Sequence, residues 1–211
     1  MSATSAKKPQ RLTRRGEATR ARIVMTAAGL IYEHGAERVT LDHVMDESRV
    51  SKSQLYHYFA NKDDLIREVI RLQTAQVVDA NQQGLKRVDT LRGLRTWRNA
   101  VVRSFRKTGA VGGCPVGSLA NELSGQSEEA RRLLDQSFSA WSIIIGDSLA
   151  RMKEHGELTP SAQPASLAIA VLAAIQGGIL LAKTARSARP LELAFDMALD
   201  FVAQHAAVTS K

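Results

Sequence analysis

One cysteine, Cys114, in 211 residues excludes an intrachain disulfide framework and a multi-cysteine zinc cluster, because each needs more than one thiol. The five histidines, His34, His43, His57, His155 and His205, lack ligand spacing such as two on one helix face with a carboxylate, so neither a structural metal nor a cofactor is expected. Prolines number only five, and β-branched residues rarely alternate, which argues against sheet. No apolar run follows the basic N-terminal stretch. A secretory signal needs such a run, and a cytoplasmic protein is therefore expected. Catalytic constellations are missing too: no base adjoins Cys114 in sequence, no glycine-rich phosphate loop opens from a strand, and no carboxylates pair in an apolar context.

Acidic residues are scarce where basic ones gather. The formal charge is +8, and within the first 22 residues Lys7, Lys8, Arg11, Arg14, Arg15, Arg20 and Arg22 stand against Glu17 alone. Such a balance favours an acidic partner, with nucleic acid ahead of an anionic membrane surface and a plain solvated surface. Residues 1–16 read as a basic flexible arm, either a solvated tail or a segment that follows the DNA backbone or minor groove.

Apolar residues recur at helical spacing almost throughout, so an all-α protein is expected. Ile23, Ala27, Leu30 and Ile31 stripe a first helix from Glu17 to His34, closed by Gly35 as a left-handed C-cap. Thr40 caps a short second helix and Ser51 a third, which turns Leu55 and Phe59 inward. A fourth runs from about Lys62 to Gln82. Beyond it the spacing predicts a helix with Leu91, Leu94, Trp97, Val101 and Phe105 on one side, a short helix near Ser118 to Leu123, and a long one from about Ser127 to His155. Two more are expected at Ala165 to Arg186 and Pro190 to His205. The uncharged stretch Ser161 to Ala182 approaches the length of a membrane span, but Ser166, Gln176 and the Gly177-Gly178 pair interrupt it. The better reading is a helix buried on nearly every side, its second face covered by a symmetry mate, with the last helix completing a homodimer interface.

Thr40 to Phe59 has the spacing of a helix-turn-helix: short helix, tight turn, short helix. In such motifs the second helix enters the major groove. Lys52, Ser53 and Gln54 begin that helix, where lysine to guanine and glutamine to adenine are sensible base contacts. Tyr56, His57, Thr40 and Lys62 can donate to phosphates. Tyrosines on an exposed helix serve no packing purpose, and DNA gives them one.

The stretch from Arg20 to Leu65 resembles the TetR family of transcriptional regulators, with an AcrR-like N-terminal half. The resemblance rests on an alanine-rich helix ending at Gly35, on Thr40, and on Leu55-Tyr56-His57-Tyr58-Phe59 followed by Asn61-Lys62. It implies a homodimeric DNA-binding repressor, with Lys52, Ser53 and Gln54 at base-reading positions and Thr40, Tyr56, His57 and Lys62 at phosphate-touching ones. Members usually carry glycine in the turn before the reading helix, where this chain has Arg49. A positive φ there would cost roughly 1 kcal/mol. Domains are expected at 17–62 for DNA binding and 63–211 for effector binding and dimerisation.

Candidate effector-lining residues are Trp97, Phe105, Phe138, Trp141, Ile145, Met152 and Gln176, because pockets are mostly apolar with a few polar groups. The aromatic ones are more often ordinary core. Cys114 lies in the glycine-rich segment Gly112 to Gly117, where a small buried hydrophobe and an activated thiolate at a helix N-terminus are both open. The segment Gly113 to Leu123 is similar to one in the LmrA/YxaF-like branch. The leading expectation is a repressor released from a palindromic operator by a small effector. A thiol-dependent enzyme or an electrophile or redox sensor using Cys114 is the alternative.

Overall fold

The computed structural model describes residues 12–207, and the basic residues Lys7, Lys8 and Arg11 lie outside them. Among the described residues the secondary structure is helical apart from one isolated bridge between Leu158 and Ala206. The chain divides into two compact units that meet in sequence between Val69 and Ile70.

The first unit holds α1 (Arg14–His34), α2 (Leu41–Ser48), α3 (Lys52–Tyr58) and the start of α4 (Lys62–Leu85). Helix α1 begins three residues before the expected Glu17, because the Thr13 hydroxyl accepts from the Gly16 amide at 3.2 Å and caps it. It buries Ile23, Val24, Ala27, Leu30 and Ile31. Gly35 ends it with φ of 85°, which needs glycine, but ψ of 153° leads the chain out extended and not into the expected left-handed turn. Around this face Val39, Val44, Leu55, Phe59, Leu65 and Val69 complete a core. The Arg20 guanidinium sits 5.5 Å from the centre of the Phe59 ring and 2.7 Å from Glu68.

The second unit comprises the rest of α4, α5 (Leu91–Lys107), α6 (Pro115–Leu123), α7 (Glu128–Glu154), α8 (Pro164–Ala185) and α9 (Arg189–Ala203). Helix α6 starts three residues earlier than Ser118 because Pro115 suits the first turn and Cys114 caps it. Helices α8 and α9 nearly touch: a side chain at Gly178 would meet Ala194 Cβ and Leu191 Cα at 3.0 Å. On α5, Trp97 packs edge-on to Phe195 with ring centres 5.0 Å apart, and Arg98 and Arg106 reach Asp196 at 2.7 Å and Glu192 at 2.9 Å on α9.

Helix α8 has two unlike sides. It is long and apolar enough to cross a membrane by length and composition. Its Leu167, Ala168, Val171, Leu172, Ile175, Gly178 and Ala182 are buried, yet Ile169, Leu180 and Leu181 are exposed. Leu193, Met197 and Phe201 of α9 are exposed as well. Within one chain α8 therefore has one packed face and one open apolar face.

Candidate DNA-reading helix and effector-binding half

Helix α3 is held by its caps and its buried side. The Ser51 hydroxyl accepts from the Gln54 amide at 3.2 Å while Gln54 Oε1 accepts from the Ser51 amide at 3.0 Å, a reciprocal capping box. Leu55 is fully buried and Phe59 nearly so. With that side anchored, Lys52, Ser53, Tyr56 and His57 are left exposed, and Tyr58 is half-buried with its ring edge-on to His57. The arrangement presents one lysine, one hydroxyl, one phenol and one imidazole on a rigid two-turn helix.

Three of the sequence-derived site residues already have partners. Thr40 Oγ1 accepts from the His43 amide at 3.2 Å and caps α2, which leaves its O–H to donate. Lys62 Nζ donates to the Glu37 carbonyl at 3.0 Å, using one of its three donors. Gln54 spends its Oε1 in the capping box, so only its Nε2 is available. Bidentate recognition of adenine needs both atoms. Such recognition would require the box to open.

Arg49 closes α2 in the left-handed region, with φ of 54° and ψ of 49°. The turn therefore keeps the backbone that glycine would favour and carries the strain of a side chain. An Arg49→Gly variant is expected to gain about 1 kcal/mol in urea unfolding. No gain would mean that the guanidinium returns as much as the backbone loses.

The effector candidates separate into several places. Trp97 belongs to the α5–α9 contact, and Phe105 is half-buried on α5. Phe138 lines an open groove of about 640 Å³ with Ile143, Gly146, Ile169 and Leu172, and Asp135 and Asp147 are also on its lining. Trp141, Ile145 and Met152 are buried residues of α7 that do not line that groove. Cys114 and Gln176 are neighbours across Gly117: Gln176 Oε1 lies 2.8 Å, and Cys114 Cβ 3.3 Å, from where a Gly117 side chain would begin. A methyl group at residue 117 would have to displace the Gln176 amide.

Cys114 is buried, and its sulfur accepts from the Gly117 amide at 3.3 Å. Burial pushes its thiol up, outweighing the polar neighbours Gly117, Gln176 and Val116 that pull it down. A thiol held neutral is the opposite of the activated thiolate that an enzyme or electrophile sensor needs. The alternative built on Cys114 is not favoured.

Sequence reading missed three polar residues, the buried Gln73 and Ser137 and the half-buried Thr74. Thr74 Oγ1 and Ser137 Oγ lie 2.6 Å apart and join α4 to α7. The available signal was Gln73 itself, four residues from both Val69 and Val77 on the apolar stripe of α4, where an amide is out of place.

A capped helix pair joined by a left-handed residue, with its second helix anchored on one side and polar on the other, defines a helix-turn-helix transcriptional regulator. Comparison with known proteins names the family. Residues 23–69 match the bacterial regulatory proteins of the tetR family, and residues 90–197 match the C-terminal domain of LmrA/YxaF-like transcriptional regulators. The chain belongs to the TetR family. An HTH-type regulator from the lacX 3' region of Lactococcus lactis is 30% identical over 181 residues, 85% of this chain and 90% of that protein. LmrA of Bacillus subtilis is 28% identical, covering 82% of this chain and 90% of its own length. In fold, a TetR-family regulator from Cytophaga hutchinsonii superposes with a TM-score of 0.81 at 17% identity over 96% of this chain and all of that one, and reduced Escherichia coli NemR gives 0.73 at 23% over 92% and all of its chain. The protein is a DNA-binding transcriptional regulator of a family in which homodimers and ligand binding are typical.

Proposed function

We propose that this protein is a dimeric repressor that sits on a palindromic operator and leaves it when a small molecule occupies the second unit. The observation that carries the reading is the exposure of Lys52, Ser53, Tyr56 and His57 on a helix whose opposite side is anchored by Leu55 and Phe59. Lys52 and Ser53 read bases, with the Gln54 Nε2 beside them; Tyr56, His57, Thr40 and Lys62 hold phosphates. Residues 17–62 serve as the DNA-binding domain and 63–211 as the effector and dimer domain. Dimerisation uses the open apolar faces of α8 and α9, which accounts for Ile169, Leu180, Leu181, Leu193, Met197 and Phe201. Its site of action is the cytoplasm, and it performs no turnover.

Release follows from geometry. Two recognition helices must be about one helical turn of DNA apart, roughly 34 Å. A ligand that binds better to a dimer with another spacing draws the population away from DNA. Helix α4 is the covalent route, since it starts with Lys62 beside the reading helix and continues to Leu85.

Footprinting on the DNA upstream of its own gene at 50 and 200 mM salt tests the proposal. Protection of one palindromic site is expected, weakening with salt as counterions return to the phosphates. Uniform binding without a protected site would refute an operator in that region, and protection of a single asymmetric half would refute the dimeric reader.

A further inference from the structure

Buried polar atoms normally find hydrogen-bond partners, and those that do not require an explanation. In the second unit, Gln73 Oε1 on α4, Trp141 Nε1 on α7 and Gln176 Nε2 on α8 are buried with no partner. Gln73 is 4% exposed and Trp141 is 6% exposed. One is an acceptor and two are donors, yet none satisfies another.

Helix registers bring the three to one level. Thr74 meets Ser137 at 2.6 Å and, further along both helices, Arg151 Nη2 donates to the Leu85 carbonyl at 2.7 Å, so α4 and α7 run parallel. Lys153 Nζ donates to the Ala162 carbonyl at 2.9 Å, and a side chain at Gly146 would lie 3.7 Å from Ala168 Cβ, so α7 and α8 run antiparallel. Counting back along these registers puts Gln176 beside residue 138. With a rise of 1.5 Å per residue, all three residues fall within about 6 Å, along the axis, of the Thr74–Ser137 bond. Cys114, which faces Gln176 across Gly117, is at the same level.

We propose that the effector is an uncharged molecule held between α4, α7 and α8, accepting hydrogen bonds from Trp141 Nε1 and Gln176 Nε2 and donating one to Gln73 Oε1. The proposal rests on the effector reading above and adds the ligand's chemistry. Neutrality follows from the neighbours. Thr74 and Ser137 are satisfied by each other and by the Ile70 and Leu133 carbonyls, and Cys114 is a neutral thiol. None of Gln73, Thr74, Ser137, Trp141, Gln176 and Cys114 can carry a counter-charge for a ligand held among them, and the ammonium beside Gly113 belongs to the exposed Lys183. The open groove does not compete for this role, because its α7 residues, among them Asp135, Ser139, Ser142 and Gly146, sit on the side of the helix away from Ser137 and Trp141.

The test uses full-length protein labelled with 5-fluorotryptophan, whose two fluorine resonances, from Trp97 and Trp141, are assigned with a Trp97→Phe variant. Benzamide, benzoate and toluene are titrated as probes of similar size that are, in turn, neutral and polar, anionic, and apolar. Benzamide is expected to shift the Trp141 resonance saturably, with benzoate and toluene at least about tenfold weaker and Gln73→Leu weakening benzamide about tenfold. Equal response to toluene, stronger response to benzoate, or no Trp141 shift would each overturn the proposal. Removing an unpaired amide should also raise the melting temperature of Gln73→Leu by about 2–4 °C. A lower melting temperature would show that the amide is already satisfied and would equally overturn it. Operator footprinting on the same samples separates failure of this site from failure of the regulator reading.

Discussion

A Leu180→Asp, Met197→Asp double variant is expected to be monomeric at micromolar concentration and to bind its operator at least about a thousandfold more weakly. Leu180 is 54% exposed and Met197 63% exposed, so neither substitution disturbs the packing of α8 on α9 within a chain. In a dimer the same positions would be covered. Two-fold symmetry would then bury four carboxylates, each costing several kcal/mol without a cationic partner. On α8 the open stripe runs Ile169, Ala173, Gly177, Leu180, at intervals of four, four and three residues. Its middle is small, which lets a partner helix approach closely. Loss of the dimer leaves one reading helix per molecule, and specific binding falls toward the non-specific level, about 10³ or more below it. Light scattering after gel filtration, followed by footprinting, checks both parts. A dimer that survives would place the interface elsewhere, with the groove around Phe138 and Ile143 the next surface to examine.

The DNA-reading half was legible in sequence because its signals are local. Thr40 and Ser51 cap helices through atoms within three residues, and Leu55 and Phe59 fall four apart on the inner side of a helix. Arg49 was legible as an anomaly, and its positive φ shows that the turn kept its shape. The C-terminal half was legible as helices and not as a site. Periodicity shows that Trp141 and Ile145 of α7 face inward, but which helix covers them depends on registers set by contacts far apart in sequence, such as Thr74 with Ser137. That is why Trp97 proved to be part of the α5–α9 contact and Phe138 part of an open groove. Cys114 was ambiguous for the same reason. Its loop promises a helix N-terminus, but burial beneath the surrounding helices decides its protonation, and burial is not local.

Lys52→Ala and Tyr56→Phe should weaken operator binding in different ways. Lys52 stands in the first turn of α3 with an unpaired ammonium, where a base edge is within its reach. Its removal is expected to cost about 1–3 kcal/mol on the operator, roughly ten to a hundredfold, and to relax preference at one position of each half-site. Tyr56, one turn later and 47% exposed, is expected to touch phosphate, so loss of its hydroxyl should weaken operator and random duplex by the same factor, about five to tenfold. Gln54→Ala provides the internal control. Its Oε1 is engaged with the Ser51 amide, so the substitution should cost about 0.5–2 kcal/mol of stability, as cap losses do, with little change in base preference. Binding of each variant to the operator, to single-base substitutions of it and to random duplex decides the matter. Equal relaxation of specificity by Tyr56→Phe, or a changed preference in Gln54→Ala, would mean that α3 rotates on docking and that the capping box opens on DNA.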